Sequence, residues 1–242
     1  MERKGLALHT PSLCVRSYTA LFKRDFMGSH PVILTGTNIR RLFTTPLIIS
    51  ELPRDIAEDI NPKLKKLILS KEKEMPSQKA SNNGGWQSDD KITAWGGNET
   101  DTIVSAICQT LDQITVHFNR TGTYRGGVKW KINGWANVNR KNNSNVTHIH
   151  PGAFWSAVYY VATDDDEKSG GAFQAFDPRG GLPLMYCPVL RLGLEGCMTA
   201  GNNETYRPRE GQCLIFPSWL SHAVTPYVGD GTRISLAFNF SV

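Results

Sequence analysis

The stretch that decides the fold is Thr147-His148-Ile149-His150-Pro151-Gly152. Because side chains alternate along a strand, His148 and His150 point to the same face if this stretch is extended. A third imidazole, His222, follows the apolar run that ends in Phe216-Pro217-Ser218. Imidazole is the commonest metal ligand in proteins near neutral pH. The three histidines therefore predict a mononuclear metal site, and two surface histidines are the alternative for the pair.

The last strand of the chain supplies a candidate anion site. Arg233-Ile234-Ser235 begins eleven positions after His222 and places a guanidinium and a hydroxyl on one strand face. A guanidinium binds a carboxylate through two charge-assisted hydrogen bonds, and a hydroxyl adds a further donor. A charge in this otherwise apolar strand is costly unless it is paired. We therefore predict that Arg233 and Ser235 clamp an anionic co-substrate beside the metal.

Short strands separated by Gly/Pro turns dominate the sequence from residue 128 onward. The predicted strands cover residues 154–162, 170–176, 212–216 and 234–240, and Asn133-Gly134 predicts a hairpin turn before them. Residues 182–206 form an irregular insert. This pattern predicts an antiparallel jelly roll or sandwich over residues 128–242, supported by helices over residues 50–120.

Two amphipathic helices are expected in the supporting region. The first follows apolar residues at helical spacing, namely Leu52, Ile56, Ile60, Leu64 and Leu67. Pro62 interrupts that pattern and predicts a kink or two short helices. The second helix runs over about residues 100–118, with an apolar stripe that ends at Phe118.

Composition and charge narrow the classes of function. The formal net charge of +5 is concentrated in residues 1–24, which hold five basic residues and one acidic residue. Residues 1–36 are therefore expected to be a basic extension, either disordered or a targeting segment, and residues 37–242 a single domain. Because no basic stripe with interleaved aromatics follows, nucleic acid is not an expected partner.

Location and assembly are only partly constrained by the sequence. No apolar run reaches the length of a membrane span, and no signal peptide is evident. Five cysteines without CxxC spacing favour free thiols in a reducing compartment. We expect the cytoplasm, or an organelle if the basic segment is a targeting signal. The oligomeric state is left open, with a homodimer as one option.

Residues 135–242 carry a series of motifs that resemble the iron(II)- and 2-oxoglutarate-dependent oxygenases. The motifs are His-x-His-Pro at 148–151, a Tyr-Tyr strand at 159–160, Gly-Gly-Ala-x-x-x-x-Asp-Pro at 170–178, Phe-Pro-Ser-x-Leu-x-His at 216–222 and Arg-Ile-Ser at 233–235. The Ser-Asn-x-Gly-Gly-Trp-x-Ser loop at 81–88 fits a bacterial-type branch of the same family. Each motif is weak alone, but the set in this order is specific.

The resemblance implies a double-stranded β-helix, a cupin-like jelly roll, and roles for named residues. His148 and His222 are the implied iron ligands, and Arg233 with Ser235 is the implied clamp for the distal carboxylate of 2-oxoglutarate. Tyr160 is expected to assist that carboxylate. Asn137 and Asn139 precede the His pair on one strand face and are expected to contact co-substrate or substrate.

The activity implied by the resemblance is dioxygenation with Fe(II), 2-oxoglutarate and O2. We expect hydroxylation of a C–H bond in a small-molecule or peptide substrate, with release of succinate and CO2. Trp155 and Trp219 are candidates for an apolar substrate-pocket wall, and core packing is the alternative for each. The sequence does not identify the substrate.

One residue departs from the family pattern. Most of the superfamily has Asp or Glu two residues after the first His, and this chain has His150 there. Asp177 is the fallback carboxylate ligand, although ending a strand at a Pro turn is an alternative role. Two rival functions stay open: a cupin-like non-oxidative metalloenzyme that uses all three histidines, and a non-catalytic binding protein with a degenerate site.

Overall fold

Antiparallel strands make up most of the described chain, and helices cover one side of them. The computed structural model describes residues 42–119, 122–164, 166, 168–180, 189 and 203–242. In chain order the elements are β1 (Ile48–Glu51), α1 (Arg54–Glu74), β2 (Asn82–Asn83), β3 (Trp86–Gln87), α2 (Ile92–Trp95), α3 (Gly97–Ile114), β4 (Val116–Asn119), β5 (Gly122–Arg125), β6 (Lys131–Asn139), β7 (Ser144–His148), β8 (Trp155–Ala162), β9 (Phe173–Phe176), β10 (Asn203–Tyr206), β11 (Gln212–Pro217), β12 (His222–Val224) and β13 (Arg233–Ser241). The predicted extension 1–36 and most of the predicted insert 182–206 lie outside the described residues.

Two sheets build the unit formed by residues 43–242. The larger sheet has the strand order β1-β11-β8-β13-β6-β3, and the smaller sheet has the order β10-β9-β12-β7-β2. Phe173 of the smaller sheet packs against Phe216 of the larger one, with ring centroids 5.0 Å apart. Two facing antiparallel sheets with helices behind one of them form a double-stranded β-helix. The prediction of a mainly β jelly roll with supporting helices is confirmed.

The helices pack on the outer face of the larger sheet. Buried Ile60, Leu64 and Ile68 of α1 recur at intervals of four residues and join the same apolar cluster as the sheet. Of the two alternatives predicted at Pro62, two short helices is wrong, because α1 continues through this residue as one helix. Burial of Ile60, Leu64 and Ile68 offsets the loss of the one backbone hydrogen bond that proline removes.

The second supporting helix ends earlier than its predicted boundary. Ile103, Ile107 and Leu111 of α3 are buried as predicted, but the helix stops at Ile114. Phe118 instead lies in β4 of a separate β4–β5 hairpin, where 81% of its surface is exposed. None of the helices in the described part of the chain has the length and hydropathy needed to cross a membrane.

The predicted hairpin turn at Asn133-Gly134 is wrong, because both residues lie inside the continuous strand β6. Gly134 lies opposite Phe238 in the neighbouring strand. A Cβ atom at this glycine would lie 2.5 Å from the Phe238 ring and 2.8 Å from the carbonyl oxygen of Ala237. The glycine therefore permits a close approach between strands, which is the other common use of glycine in a sheet.

Candidate metal centre

Three histidines from two adjacent strands and the following loop converge at one end of the space between the sheets. His148 of β7 and His222 of β12 are register partners, and their ring centroids are 4.3 Å apart. His150 follows β7, with its ring centroid 5.1 Å from that of His148 and 5.0 Å from that of His222. One ligand atom from each residue lies within 4.8 Å of the others. The predicted clustering of the three imidazoles is therefore observed.

Two of these rings are held in one tautomer by backbone carbonyls. The Nδ1 of His148 lies 2.7 Å from the carbonyl oxygen of Val146, and that of His222 lies 2.8 Å from the carbonyl oxygen of Leu220. A carbonyl oxygen only accepts hydrogen bonds, so each Nδ1 carries the proton. Each Nε2 is then left with a lone pair, the state in which imidazole binds a metal.

The third ring, His150, is held by side chains. Its Nδ1 lies 2.7 Å from Asn239 Oδ1 and 2.8 Å from Ser156 Oγ. Its Nε2 is buried and has no hydrogen-bond partner among the described residues. A buried polar atom without a partner is costly, and a metal ion would satisfy it.

Burial keeps all three imidazoles neutral near pH 7. Burial, together with a smaller contribution from the neighbouring His148, lowers the pKa of His222 to about 3 and that of His150 to about 4. Burial also lowers the pKa of His148. Desolvation disfavours the charged imidazolium, so metal binding at this site does not have to displace protons at neutral pH.

A polar pocket borders the histidines on the site side of the larger sheet. Arg233, Ser235, Tyr160 and Asn137 line it together with the three rings. Strand register explains why they meet: Ser235 of β13 lies opposite Tyr160 of β8 on one side and Asn137 of β6 on the other. Directly opposite residues in antiparallel strands share a face, so the three strands present these groups in one row.

Arg233 is buried, and its hydrogen bonds leave part of the guanidinium free. Its Nε donates to the carbonyl oxygen of Gly171 at 3.0 Å, and its Nη1 lies 3.5 Å from Ser235 Oγ. Its Nη2 has no partner among the described residues, and neither does the buried hydroxyl of Tyr160. Burial raises the pKa of Tyr160 to about 12, so its hydroxyl stays a neutral donor. Two buried donors therefore face one pocket without an acceptor.

Gly171 makes room for this arginine. Its φ is +65°, and a Cβ atom there would lie 2.8 Å from Cδ of Arg233. The backbone before β9 thus both accepts a hydrogen bond from the guanidinium and admits its methylene stem. Any larger residue at position 171 would displace the arginine or strain the backbone.

A larger cavity of about 440 Å³ lies against the same arginine. Arg233 lines both cavities, and the larger one is otherwise surrounded by mixed charges that include Arg207, Arg209, Asp164 and Asp166. Tyr227 donates a hydrogen bond to Asp164 there. The histidines line only the smaller pocket, so metal chemistry is confined to that side of the arginine.

The remaining predicted site residues are placed differently. Asn139 is buried opposite Arg233 in the strand register, but it does not line the pocket. Trp155 packs in the helix-side core, and its Nε1 donates to Thr115 Oγ1 at 3.0 Å. Trp219 is 53% exposed and is absent from the pocket wall. Trp155 thus takes the alternative role of core packing on the opposite face of β8, and Trp219 lies outside the histidine pocket.

Asp177 is not part of the histidine cluster. Its carboxylate accepts hydrogen bonds from the backbone N–H and the guanidinium of Arg179, at 2.7–2.9 Å. The metal-ligand group found within the described residues consists of histidines only. The structure therefore gives no support to this fallback ligand, whose position after β9 makes it a turn residue.

Three residues of the site were not identified from the sequence: Ser156, Asn239 and Gly171. Asn239 has the same strand parity as Arg233 and Ser235, so alternation along β13 would have pointed to it. Ser156 is a polar residue in a largely apolar strand, which was a weaker signal. The contact between Asn239 and Ser156 spans 83 residues of sequence and has no local signature.

The fold and the site together define a jelly-roll protein that is suited to hold one metal ion and an anion. Residues 133–239 match the model of a family described as "Putative 2OG-Fe(II) oxygenase". These residues thus form a 2OG-Fe(II) oxygenase domain, which confirms the resemblance seen in the motifs. The protein is a 2-oxoglutarate/Fe(II)-dependent oxygenase, and its cofactors are Fe(II), 2-oxoglutarate and O2.

Solved structures with the same fold are distant in sequence. A Pseudomonas putida prolyl-4-hydroxylase is 14% identical, with 82% of this chain and 93% of that chain covered and a TM-score of 0.54. A Trichoplax adhaerens prolyl hydroxylase in complex with a hypoxia inducible factor peptide fragment is 11% identical, with coverage of 81% and 83% and a TM-score of 0.53. HygX from Streptomyces hygroscopicus, with nickel and 2-oxoglutarate bound, is 12% identical, with coverage of 82% and 83% and a TM-score of 0.51. No curated protein sequence matches the chain.

Proposed function

We propose that this oxygenase hydroxylates a C–H bond of an organic substrate and releases succinate and CO2. One observation carries the proposal. Histidine nitrogens that can bind a metal and unpartnered hydrogen-bond donors that can bind a carboxylate line the same pocket. The first group fits a metal ion, and the second fits the distal carboxylate of 2-oxoglutarate. Both halves of the cofactor set thus have residues that match them chemically.

His148, His150 and His222 are the proposed metal ligands. Three imidazoles from one side leave the remaining coordination positions open, as in facial sites of non-haem iron oxygenases. When bound, Fe(II) with 2-oxoglutarate supplies the oxidising chemistry. The backbone carbonyls of Val146 and Leu220 hold the rings of His148 and His222 in the tautomer that leaves Nε2 free for the metal.

Arg233, Tyr160 and Ser235 are the proposed clamp for 2-oxoglutarate. Arg233 Nη2 and the Tyr160 hydroxyl are buried donors that await an acceptor, and a carboxylate has two oxygens to offer them. Ser235 is the register partner of Tyr160 and lies two residues after Arg233 on the same strand. Asn137 lines the same pocket and is proposed to contact co-substrate or substrate.

His150 is proposed to take the coordination position that a carboxylate holds in most of the superfamily. The ring has an unpartnered buried Nε2 and lies beside the other two ligands, so it fits this role geometrically. Three neutral imidazoles leave the full charge of Fe(II) in place, and Arg233 adds another positive charge. A dianion such as 2-oxoglutarate is therefore favoured in this pocket over a neutral ligand.

The substrate is proposed to be a peptide or a small molecule. The structures that share the fold include a prolyl hydroxylase with a peptide fragment and HygX, which has also been solved with hygromycin B. Their low identity indicates the fold alone, so the choice between the two classes requires direct screening.

Succinate formation tests the proposed function. Purified protein supplied with Fe(II), 2-oxoglutarate and O2 should release succinate, and candidate peptides and metabolites should raise the rate. His222→Ala should abolish this turnover, whereas His117→Ala should not, because His117 lies in the separate β4–β5 hairpin. Absence of succinate from protein with bound Fe(II) and 2-oxoglutarate would count against the proposal.

A non-oxidative metalloenzyme is the second candidate, and the all-histidine ligand set favours it. Neutral imidazoles also suit Zn(II), which has no redox chemistry. Metal analysis of protein purified without added metal, followed by activity measurements with Zn(II) and Fe(II), separates the two. Hydrolytic or isomerising activity with Zn(II), without succinate release with Fe(II), would favour this candidate.

A further inference from the structure

Asn239 and Ser156 form a small polar cluster around Nδ1 of His150, and neither residue lines the pocket. The two residues are register partners on β13 and β8. Ser156 is fully buried, and its Oγ donates to Asn239 Oδ1 at 2.8 Å. His150 Nδ1 lies 2.7 Å from the same Oδ1. One amide oxygen is therefore shared by a hydroxyl and an imidazole.

The direction of these hydrogen bonds determines which nitrogen of His150 is free. An amide oxygen only accepts, so a ring nitrogen 2.7 Å from it must carry the proton. The proton is then on Nδ1, and the lone pair is on Nε2, the unpartnered atom of a ring whose centroid lies 5.1 Å from that of His148 and 5.0 Å from that of His222. The opposite tautomer would place an N–H group where a ligand atom is required.

The hydrogen bonds that hold the His150 ring differ in kind from those that hold His148 and His222. His148 and His222 donate to backbone carbonyls, which no substitution removes. His150 follows the end of β7, and its ring depends on side chains from two distant strands. Its orientation is therefore the one that sequence change can alter most directly.

We propose that Asn239, assisted by Ser156, is the positioning residue that makes His150 a metal ligand. The inference rests on the proposed metal site and names residues outside the ligand set. Outer hydrogen-bond partners of metal-bound histidines orient the ring and raise its basicity, and their loss typically weakens metal affinity about 10- to 100-fold.

Titration with Mn(II) alone, without co-substrate, tests the inference by calorimetry. Asn239→Leu removes the acceptor and should weaken Mn(II) binding about 10- to 100-fold. Asn239→Asp keeps an oxygen acceptor and should bind Mn(II) at least as tightly as the wild type. Asn133→Leu is the matched control, because this exposed asparagine is the register partner of Asn239 on the other side and should change nothing.

Two results would overturn the inference. One is wild-type affinity in Asn239→Leu, and the other is an equal loss in the Leu and Asp variants, which would indicate packing alone. His222→Ala separates the inference from the metal site itself. If His222→Ala loses Mn(II) binding while Asn239→Leu keeps it, only the positioning role fails. If His222→Ala binds as well as the wild type, the proposed site and the inference both fail.

A second measurement needs no substitution and so does not depend on the folding of any variant. Long-range 1H–15N correlation spectra of the histidine rings report which nitrogen is protonated. In metal-free protein at neutral pH, His150 should show the Nδ1–H tautomer. The Nε2–H tautomer would contradict the inference, since it would mean that Asn239 presents its amino group to the ring.

Discussion

The two faces of the larger sheet are built from the same strands and have opposite characters. On the helix side, Val138, Leu236 and Tyr159 are fully buried in one apolar cluster with α1 and α3. On the site side, the adjacent residues Asn137 and Ser235 are polar, although both are also buried. One face stabilises the fold through apolar burial, and the other holds polar groups whose partners come from bound cofactors.

This difference separates stability from function along a single strand. Residues of β13 with even numbers pack against the helix side, and residues with odd numbers point to the site. Substitutions on the odd face should change ligand binding in a folded protein. Substitutions on the even face should change the free energy of unfolding and leave ligand affinity unchanged.

The largest expected effect is loss of the metal. His148→Ala and His222→Ala each remove a ligand and should reduce Mn(II) affinity by more than the roughly 100-fold that loss of an outer partner costs. Calorimetric titration measures the affinity, and His117→Ala is the control. Retention of wild-type affinity in either site variant would show that these rings do not hold the metal.

The next largest effect is a loss of stability from a substitution on the helix side of the larger sheet. Leu236→Ala removes a fully buried side chain and should lower the free energy of unfolding by about 2–5 kcal/mol. Urea unfolding measures this change, and Mn(II) affinity of the folded variant should match the wild type. A folded Leu236→Ala protein with impaired Mn(II) binding would contradict the division between the faces.

The clamp variant should affect only the co-substrate. Arg233→Ala removes a charged donor and should weaken 2-oxoglutarate binding to the Mn(II)-loaded protein by about 1.5–3 kcal/mol, roughly 10- to 100-fold. Mn(II) affinity in the absence of 2-oxoglutarate should not fall, because Arg233 is not a ligand and its positive charge opposes the metal. Unchanged 2-oxoglutarate affinity in this variant would show that Arg233 does not bind the carboxylate of 2-oxoglutarate.

The charge of the ligand set leads to a coupling prediction. Three neutral imidazoles leave the charge of Mn(II) uncompensated, and Arg233 adds another positive charge. Therefore 2-oxoglutarate should tighten Mn(II) binding, and Mn(II) should tighten 2-oxoglutarate binding by the same factor. Such couplings are typically about 5- to 150-fold. His150→Asp adds one negative charge and should reduce the factor. Equal coupling in both proteins would show that the ligand charge is not what links the two sites.

The last effect is a dependence of stability on pH in metal-free protein. The pKa values of His222 and His150 are depressed to about 3 and 4, whereas histidine in an unfolded chain has a pKa of about 6.5. The unfolded state therefore binds more protons below about pH 6.5, so stability should fall as pH decreases from 6.5 toward 4. Melting temperatures in EDTA between pH 7 and 5 measure this, and the slope should be smaller in His222→Asn. A melting temperature that rises as the pH is lowered over this range would contradict the prediction.

The sequence predicted the parts of the site that local patterns encode. His148, His150, Arg233 and Ser235 were found because alternation along a strand is a local rule. The turn at Asn133-Gly134 was wrong because its local signal is outweighed by contact with Phe238, a residue more than a hundred positions away.

The hydrogen bonds that support His150 likewise could not be predicted from local sequence patterns. Strand alternation places Asn239 on the site face, but no local pattern indicates that its partner is His150, which is 89 positions away. Only the register of β8 and β13 brings Ser156 to the same point. Residues that hold ligands in place are therefore harder to predict than the ligands. Their partners are set by tertiary packing, which no short motif records.

The central claim is that metal and 2-oxoglutarate occupy one pocket, held by the histidines at one end and Arg233 at the other. An anaerobic titration with Fe(II) and 2-oxoglutarate, followed by visible absorption, tests it most directly. We predict a weak charge-transfer band that needs both additions, disappears in His222→Ala and requires more 2-oxoglutarate in Arg233→Ala. If the wild-type protein, with both ligands shown to be bound, gives no band, the account is contradicted.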